Sequence, residues 1–234
     1  MPDYTLYYWP VPFRGQFIRA ILAYAGKSWD EGDADIVPLM EKAPGEQPIP
    51  FMGPPVLVVE KTGFALSQMP AIAFYLGETL GLLPKTPEGR ALTLKIVNDA
   101  NDVIDEITID GGQQMWTKQT WEDFIPRLKR WMAIFEVIGE RSGLKPDGGF
   151  LLGGAEPGVA DIVSATLWST LRAKFPKIGE MLDAEAPLVA ALSYRLQQNP
   201  ALAKLARESD ERYGEETYCG GQIGRSLRKF AGAG

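Results

Sequence analysis

Leu6-Tyr7-Tyr8-Trp9-Pro10-Val11-Pro12-Phe13-Arg14-Gly15-Gln16-Phe17-Ile18-Arg19 is the stretch from which the fold of this 234-residue chain is read. The apolar run Leu6 to Trp9 stops at Pro10, so residues 4–9 read as a strand with Leu6 and Tyr8 on one face and Thr5 and Tyr7 on the other. Phe17, Ile18, Ile21, Leu22 and Tyr24 then take helical spacing over 14–25, and Gly26 ends the run. A strand, a turn carrying two prolines and a helix opening on Arg-Gly would hold one phenol at the mouth of a cleft.

Further along, Pro38, Pro44, Pro48 and Pro50 interrupt residues 28–50, which predicts a short strand near Ile36 followed by irregular backbone forming a mobile wall. Pro55-Val56-Leu57-Val58-Val59 is an apolar, β-branched strand, Glu60 to Gly63 a turn, and Phe64-Ala65-Leu66 the returning strand. Pro70 suits the first turn of a helix running to about Leu80, where its missing N–H costs nothing. The order β-α-β-ββ-α thus fills residues 1–82, and 83–87, with Pro84 and Pro87, read as a linker.

Strand signals then cease. Helical apolar spacing covers 88–110, 120–142, 158–173, 177–183 and 187–206, which makes 88–206 an all-helical domain. From Arg207 the chain is charged and then glycine-rich, so 207–234 is expected to be a loosely held tail. The run Gly220 to Gly224 follows no strand and is not followed by Gly-Lys-Ser/Thr, so it is not read as a phosphate loop.

Hydrophobic residues make up 45% and charged residues 23%, the balance of an ordinary globular protein. A net charge of -6 argues against a phosphate-backbone binder, so nucleic acid is not expected as a partner. No apolar run is long enough for a membrane span and no leader pattern is read, and the single cysteine suits a reducing compartment; the expected location is cytoplasmic. The chain has no histidine, which removes Ser-His-Asp and Cys-His pairs and the usual zinc sites, so no metal is expected. Acid-base chemistry falls to tyrosine, carboxylates, lysine or a ligand's own groups.

The order of elements with these motifs resembles the cytosolic glutathione transferases over residues 3–206, nearest the tyrosine-type pi and sigma classes. The resemblance implies an α/β thioredoxin-like N-terminal domain of βαβ-ββα order followed by an all-α C-terminal domain. Met1 to Val11 is similar to the pi-class opening and carries the family's catalytic tyrosine onto Tyr8, whose hydroxyl would favour a bound thiolate over the thiol. Arg14 matches the Arg-Gly beside that tyrosine and is carried over as its catalytic neighbour, a solvated first-turn arginine being the alternative. Pro55 matches the proline that is cis throughout the thioredoxin-like group. The residue before it, Pro54, can offer the cysteinyl part of glutathione only a carbonyl.

Gln68 matches the first member of the family's γ-glutamyl grip, while Met69 stands where a hydroxyl residue is usual and keeps only a backbone N–H at the helix start. Val97-Asn98-Asp99 matches a pi-class segment whose aspartate reaches the neighbouring subunit, so the resemblance implies a homodimer with Asp99 acting across it. Gly154 to Asp161 resembles the family's helix-start motif, with Gly158 as cap and Asp161 as a folding residue. Val11, Pro12, Phe13, Met115 and Trp116, with Trp121 a further candidate, are the expected walls for a small hydrophobic electrophile. The implied activity is conjugation of glutathione, used as co-substrate, to that electrophile in detoxification. The alternatives are a glutathione-dependent isomerase on the same scaffold, or a non-catalytic relative that binds apolar ligands or partners.

Overall fold

Tyr4, Thr5 and Leu6 pair in parallel with Trp29, Asp30 and Glu31, and on their other edge Tyr4 to Tyr7 pair antiparallel with Val59 to Val56. These ladders organise the computed structural model, which describes residues 1–232. β1 (Tyr4–Tyr7), α1 (Arg14–Tyr24), β2 (Trp29–Glu31), α2 (Ile36–Glu41), β3 (Val56–Val59), β4 (Phe64–Ser67) and α3 (Met69–Thr79) follow one another. The four strands form one mixed sheet in the order β2-β1-β3-β4. The strand expected near Ile36 lies earlier, at Trp29–Glu31. Ile36 and Leu39, three apart and both buried, instead form the inner stripe of α2.

The remainder is helical: α4 (Pro87–Ile107), α5 (Ile109–Gly112), α6 (Lys118–Arg141), α7 (Val159–Lys174), α8 (Pro176–Glu185), α9 (Pro187–Gln197), α10 (Pro200–Tyr213) and α11 (Gly221–Ala231). The helix expected over 88–110 stops at Ile107, because Asp110 and Gly111 turn into the left-handed region at φ 51 and 60. The helix expected over 187–206 is divided at Pro200, where Asn199 Oδ1 accepts the Ala201 N–H at 3.0 Å and starts α10. Buried from Val159 through Trp168, α7 runs through the middle of the helical layer against α1, α4, α8 and α9.

Residues after 206, expected to be loosely held, are built into the core. α10 continues to Tyr213, and Tyr218 (2% exposed), Leu227 and Ala231 (both 0%) are buried. Ile223, Leu227 and Ala231 recur every fourth residue and give α11 a single inner face, with Arg225 and Lys229 outside it. Trp116 donates its amide to Ser226 Oγ at 3.0 Å, and Lys177 Nζ donates to the Phe230 carbonyl at 2.8 Å.

Asp161 is buried at the start of α7, where its carboxylate accepts N–H bonds from Leu151 at 2.7 Å and Gly158 at 2.9 Å. Burial pushes this carboxyl up to about 6, against the pull of those two donors. From pH 3.8 to about 6 the folded chain therefore holds a proton that the unfolded chain has released. This group's contribution to stability is present below that window and is lost as pH rises through it. Asp161→Ala should orphan both amides and lower unfolding free energy by about 2–5 kcal/mol in denaturant titrations. The same variant should flatten this part of the stability-pH curve; an unchanged midpoint and slope would remove Asp161 from the folding role.

Candidate active site

Tyr8 follows the last residue of β1 on the buried face shared with Tyr4 and Leu6, and is 2% exposed. Its ring lies against Gly15, where any Cβ would overlap Tyr8 Cδ1 and Cγ. That close approach brings the N-terminus of α1 to the phenol: the Arg14 amide donates to Tyr8 Oη at 3.0 Å. Burial pushes the phenol up to about 12, although Arg14, Arg19 and the Arg14 and Gly15 amides pull the other way. Tyr8 is thus a neutral phenol with one lone pair taken by Arg14 and its own proton left to donate. Gly15→Ala should displace the ring and cost about 1–3 kcal/mol by overpacking. The same substitution should reduce any thiolate signal of the bound ligand, and an unaltered signal would show that the approach does not matter.

Arg14 itself points to α4, donating from Nε to Asn101 Oδ1 at 3.2 Å and pairing with Asp105. Its guanidinium lies 5.1 Å from the Phe13 ring centroid. Sequence reasoning does not single out Asn101 and Asp105 as partners of Arg14. Their spacing of four on a helix is the signal that they share a face.

Beneath Tyr8 lies Arg19, 1% exposed, joined to Glu31 by two bonds of 2.7 and 2.8 Å. It also donates to the Val11 carbonyl at 3.0 Å and the Trp9 carbonyl at 3.4 Å, which ties down the turn after the tyrosine.

The Pro54-Pro55 peptide is cis. Because Tyr7 pairs with Val56, Pro55 lies beside Tyr8 at the end of the sheet. Gln68 precedes α3 at φ 74 and ψ 117, a backbone region costly for a residue with a side chain. Ser67 ends β4 opposite Val56, and the Met69 side chain is buried in the core. From Gln68 a groove of about 720 Å³ runs between α3 and α4, lined by Phe74, Tyr75, Arg90, Asn98 and Asn101 among others. Asn101 thus joins the groove to Arg14. Asp99 is not among those lining residues; it pairs with Lys95 one turn away.

The expected electrophile walls do not form one surface. Phe13 is buried with its ring edge-on to Tyr218 at 5.2 Å. Pro12 lines a different cavity, of about 610 Å³, with α7, α9 and α10. Val11 contributes its carbonyl to Arg19. Trp116 is a core residue: its indole N–H donates to the Ile107 carbonyl at 3.0 Å, and it packs among Trp121 and Phe124 at 6.1 and 5.2 Å. Met115 is 37% exposed. Tyr218, beside Phe13, belongs to the segment that the sequence presents as tail.

Residues 92–230 match the family model described as glutathione S-transferase, C-terminal domain. The chain belongs to the glutathione S-transferase family. It is 28% identical over 204 residues to glutathione S-transferase P of Bos taurus, covering 86% of this chain and 90% of that one. It is 33% identical over 102 residues to hematopoietic prostaglandin D synthase of Gallus gallus, 44% of this chain and 49% of that one. In fold it is similar to the monomeric glutathione S-transferase Na-GST-3 of Necator americanus. That match has a TM-score of 0.69 and 24% identity, and covers 88% of this chain and 97% of that chain. This transferase thus has the thioredoxin-like sheet followed by helices, as expected, and glutathione is its co-substrate. Among the described residues no helix is long and apolar enough to cross a membrane, and no group of three His, Cys, Asp or Glu side chains could hold a metal ion.

Proposed function

We propose that this transferase conjugates glutathione to a small hydrophobic electrophile, with Tyr8 holding the sulfur as thiolate. The observation that carries the reading is the bond from the Arg14 amide to Tyr8 Oη, which leaves the phenolic proton as the only proton Tyr8 can present. A sulfur that accepts this proton's hydrogen bond near the N-terminus of α1 meets two features that favour negative charge. The thiol proton leaves to solvent, the thiolate attacks an electrophilic carbon, and a C–S bond forms as the leaving group departs or the adjacent π bond takes up the electron pair.

Glutathione would lie along β3 and α3. Pro54 offers its carbonyl to the cysteinyl N–H, and the strained Gln68 and the Met69 N–H meet the γ-glutamyl end at the head of the α3-α4 groove. Arg14 supports the thiolate by its charge. The apolar residues along that groove, with Leu94 38% and Phe64 45% exposed nearby, support a homodimer through this face, which would bring Asp99 to the partner's ligand. A cytoplasmic, detoxifying role follows from this chemistry and from the lone cysteine.

The test is a glutathione titration followed by the ultraviolet absorbance of the thiolate. A saturable signal near neutral pH is expected, and no signal at millimolar glutathione would overturn the reading. A second reading on the same scaffold is isomerisation, in which the thiol adds and leaves again. Glutathione recovered unchanged after turnover would select it.

A further inference from the structure

Between α1, α7, α9 and α10 lies a cleft of about 610 Å³ whose lining includes neither Tyr8 nor Gln68. That volume suits a drug-sized ligand. Its walls are tied to one another before anything enters. Gln16 Nε2 on α1 donates to Ser209 Oγ on α10 at 2.9 Å, Gln197 Nε2 on α9 donates to Ser169 Oγ on α7 at 3.0 Å, and Lys174 on α7 pairs with Asp210 on α10. Gln16 and Ser209 are 5% exposed and Lys174 4%, so the cleft is a fixed part of the fold with buried polar groups in its walls.

Ala20, Ala173, Ala190 and Ala191 line it with methyl groups only, and Leu202 and Leu205 supply the α10 side. Such small side chains on three helices leave width for a flat ring system, and Tyr194, 70% exposed, offers an aromatic face at the edge. Thr166 and Thr170, one turn apart on α7, also line the cleft, and neither hydroxyl makes a hydrogen bond among the described residues. Thr166 is 6% exposed, so its hydroxyl, a donor and an acceptor, is satisfied only by what enters the cleft.

The charged side chains of the lining cancel in pairs. Arg172 grips Asp183 with both terminal nitrogens, one at 3.0 Å, and Lys174 meets Asp210 while also donating to the Glu215 carbonyl. An anion entering here meets the Asp210 carboxylate beside Lys174, and a cation meets Lys174 and Arg172, whereas a neutral molecule leaves both pairs intact. We infer that this cleft binds a neutral, flat, multi-ring compound carrying a carbonyl or hydroxyl oxygen, which exchanges hydrogen bonds with Thr166 and Thr170. Binding there needs neither glutathione nor Tyr8.

The experiment uses the full chain without glutathione and follows two probes by titration calorimetry: fluorenone, a neutral flat ketone, and fluorenone-2-carboxylate, its charged counterpart. Fluorenone should saturate the protein, and the carboxylate should bind weaker by about 10-fold or more. Ala173→Phe, at an exposed position of the α7 wall, puts a ring into the cleft and should weaken fluorenone by about 10-fold or more, as should Ala190→Phe from α9. Thr166→Val keeps the shape, removes the hydroxyl and should weaken fluorenone by about 3- to 10-fold. Unfolding midpoints certify that the variants fold, and Ala190→Phe carries the test if Ala173→Phe does not.

Four results would each overturn the assignment. Without saturable fluorenone binding, the cleft takes no ligand of this class. Equal affinity for the carboxylate would remove the preference for a neutral molecule. Wild-type affinity in the folded phenylalanine variants would put fluorenone elsewhere, and wild-type affinity in Thr166→Val would take the hydroxyl out of recognition.

Discussion

Tyr8→Phe should lower kcat/KM by about 10²- to 10³-fold, the usual cost of deleting one donor that faces developing or resident negative charge. The sulfur would lose its only phenolic partner, and its ionisation would return toward the ordinary thiol value of about 8.5. The pH-rate profile should therefore shift: wild type levels off near neutrality, whereas Tyr8→Phe keeps gaining rate as pH rises into the alkaline range. Fold and glutathione affinity should survive. The ring keeps its contact with Gly15 and its place over Arg19, whose guanidinium is 5.8 Å from the centroid. The Arg14 amide loses its acceptor, at a cost of about 1–3 kcal/mol. Steady-state rates across pH check the shift, and equal rates for the two proteins would take Tyr8 out of the mechanism.

The strand, turn and helix around Tyr8 are legible because each step has a strong local signal: alternation up to Pro10, then helical spacing to Gly26. The elements that sequence misplaces are those whose signal is tertiary. Ile36 and Val37 invite a strand as a β-branched pair, yet in the folded chain Ile36 and Leu39 are buried together on α2. The end of the chain misleads for a related reason. Its apolar residues are few, and averaging over Arg207 to Leu227 hides Tyr218, Cys219, Ile223 and Leu227, each of which is buried.

For the site, the sequence indicates which residues stand near the α1 end of the sheet but not what they touch. Arg14 is legible as a neighbour of Tyr8; that its side chain turns away to Asn101 and Asp105 while its amide meets the phenol depends on the approach of α4, which lies 87 to 91 positions along the chain. Trp116 is a reasonable wall by residue type, but its indole N–H needs an acceptor, and the Ile107 carbonyl at the end of α4 draws it into the core. Gln68 carries no sign in sequence of its positive φ, since the preceding strand and following Pro70 are each ordinary.

Glu31→Gln should destabilise the fold by about 3–5 kcal/mol, because it removes the only carboxylate bonded to a buried arginine. Arg19 is 1% exposed, and Glu31 meets it with both oxygens while also accepting the Trp29 indole N–H at 2.8 Å. The amide retains the shape but not the charge, so the guanidinium is left in the interior with carbonyls and the faces of Tyr8 and Tyr213 for company. The reverse change, Arg19→Met, should cost less, since Glu31 has 10% of its side chain in solvent and can hydrate. The double variant should be more stable than the sum of the single losses, the sign of a coupled pair. The loss should also reach the chemistry. Arg19 fixes the Trp9 and Val11 carbonyls on either side of Pro10, so loosening it frees the turn that aims Tyr8, and glutathione thiolate formation should fall in Glu31→Gln even under conditions where the variant is folded. Denaturant titration of the four proteins, with thiolate absorbance on each, separates the effects. Additive losses in the cycle would mean that the two side chains act independently despite their geometry.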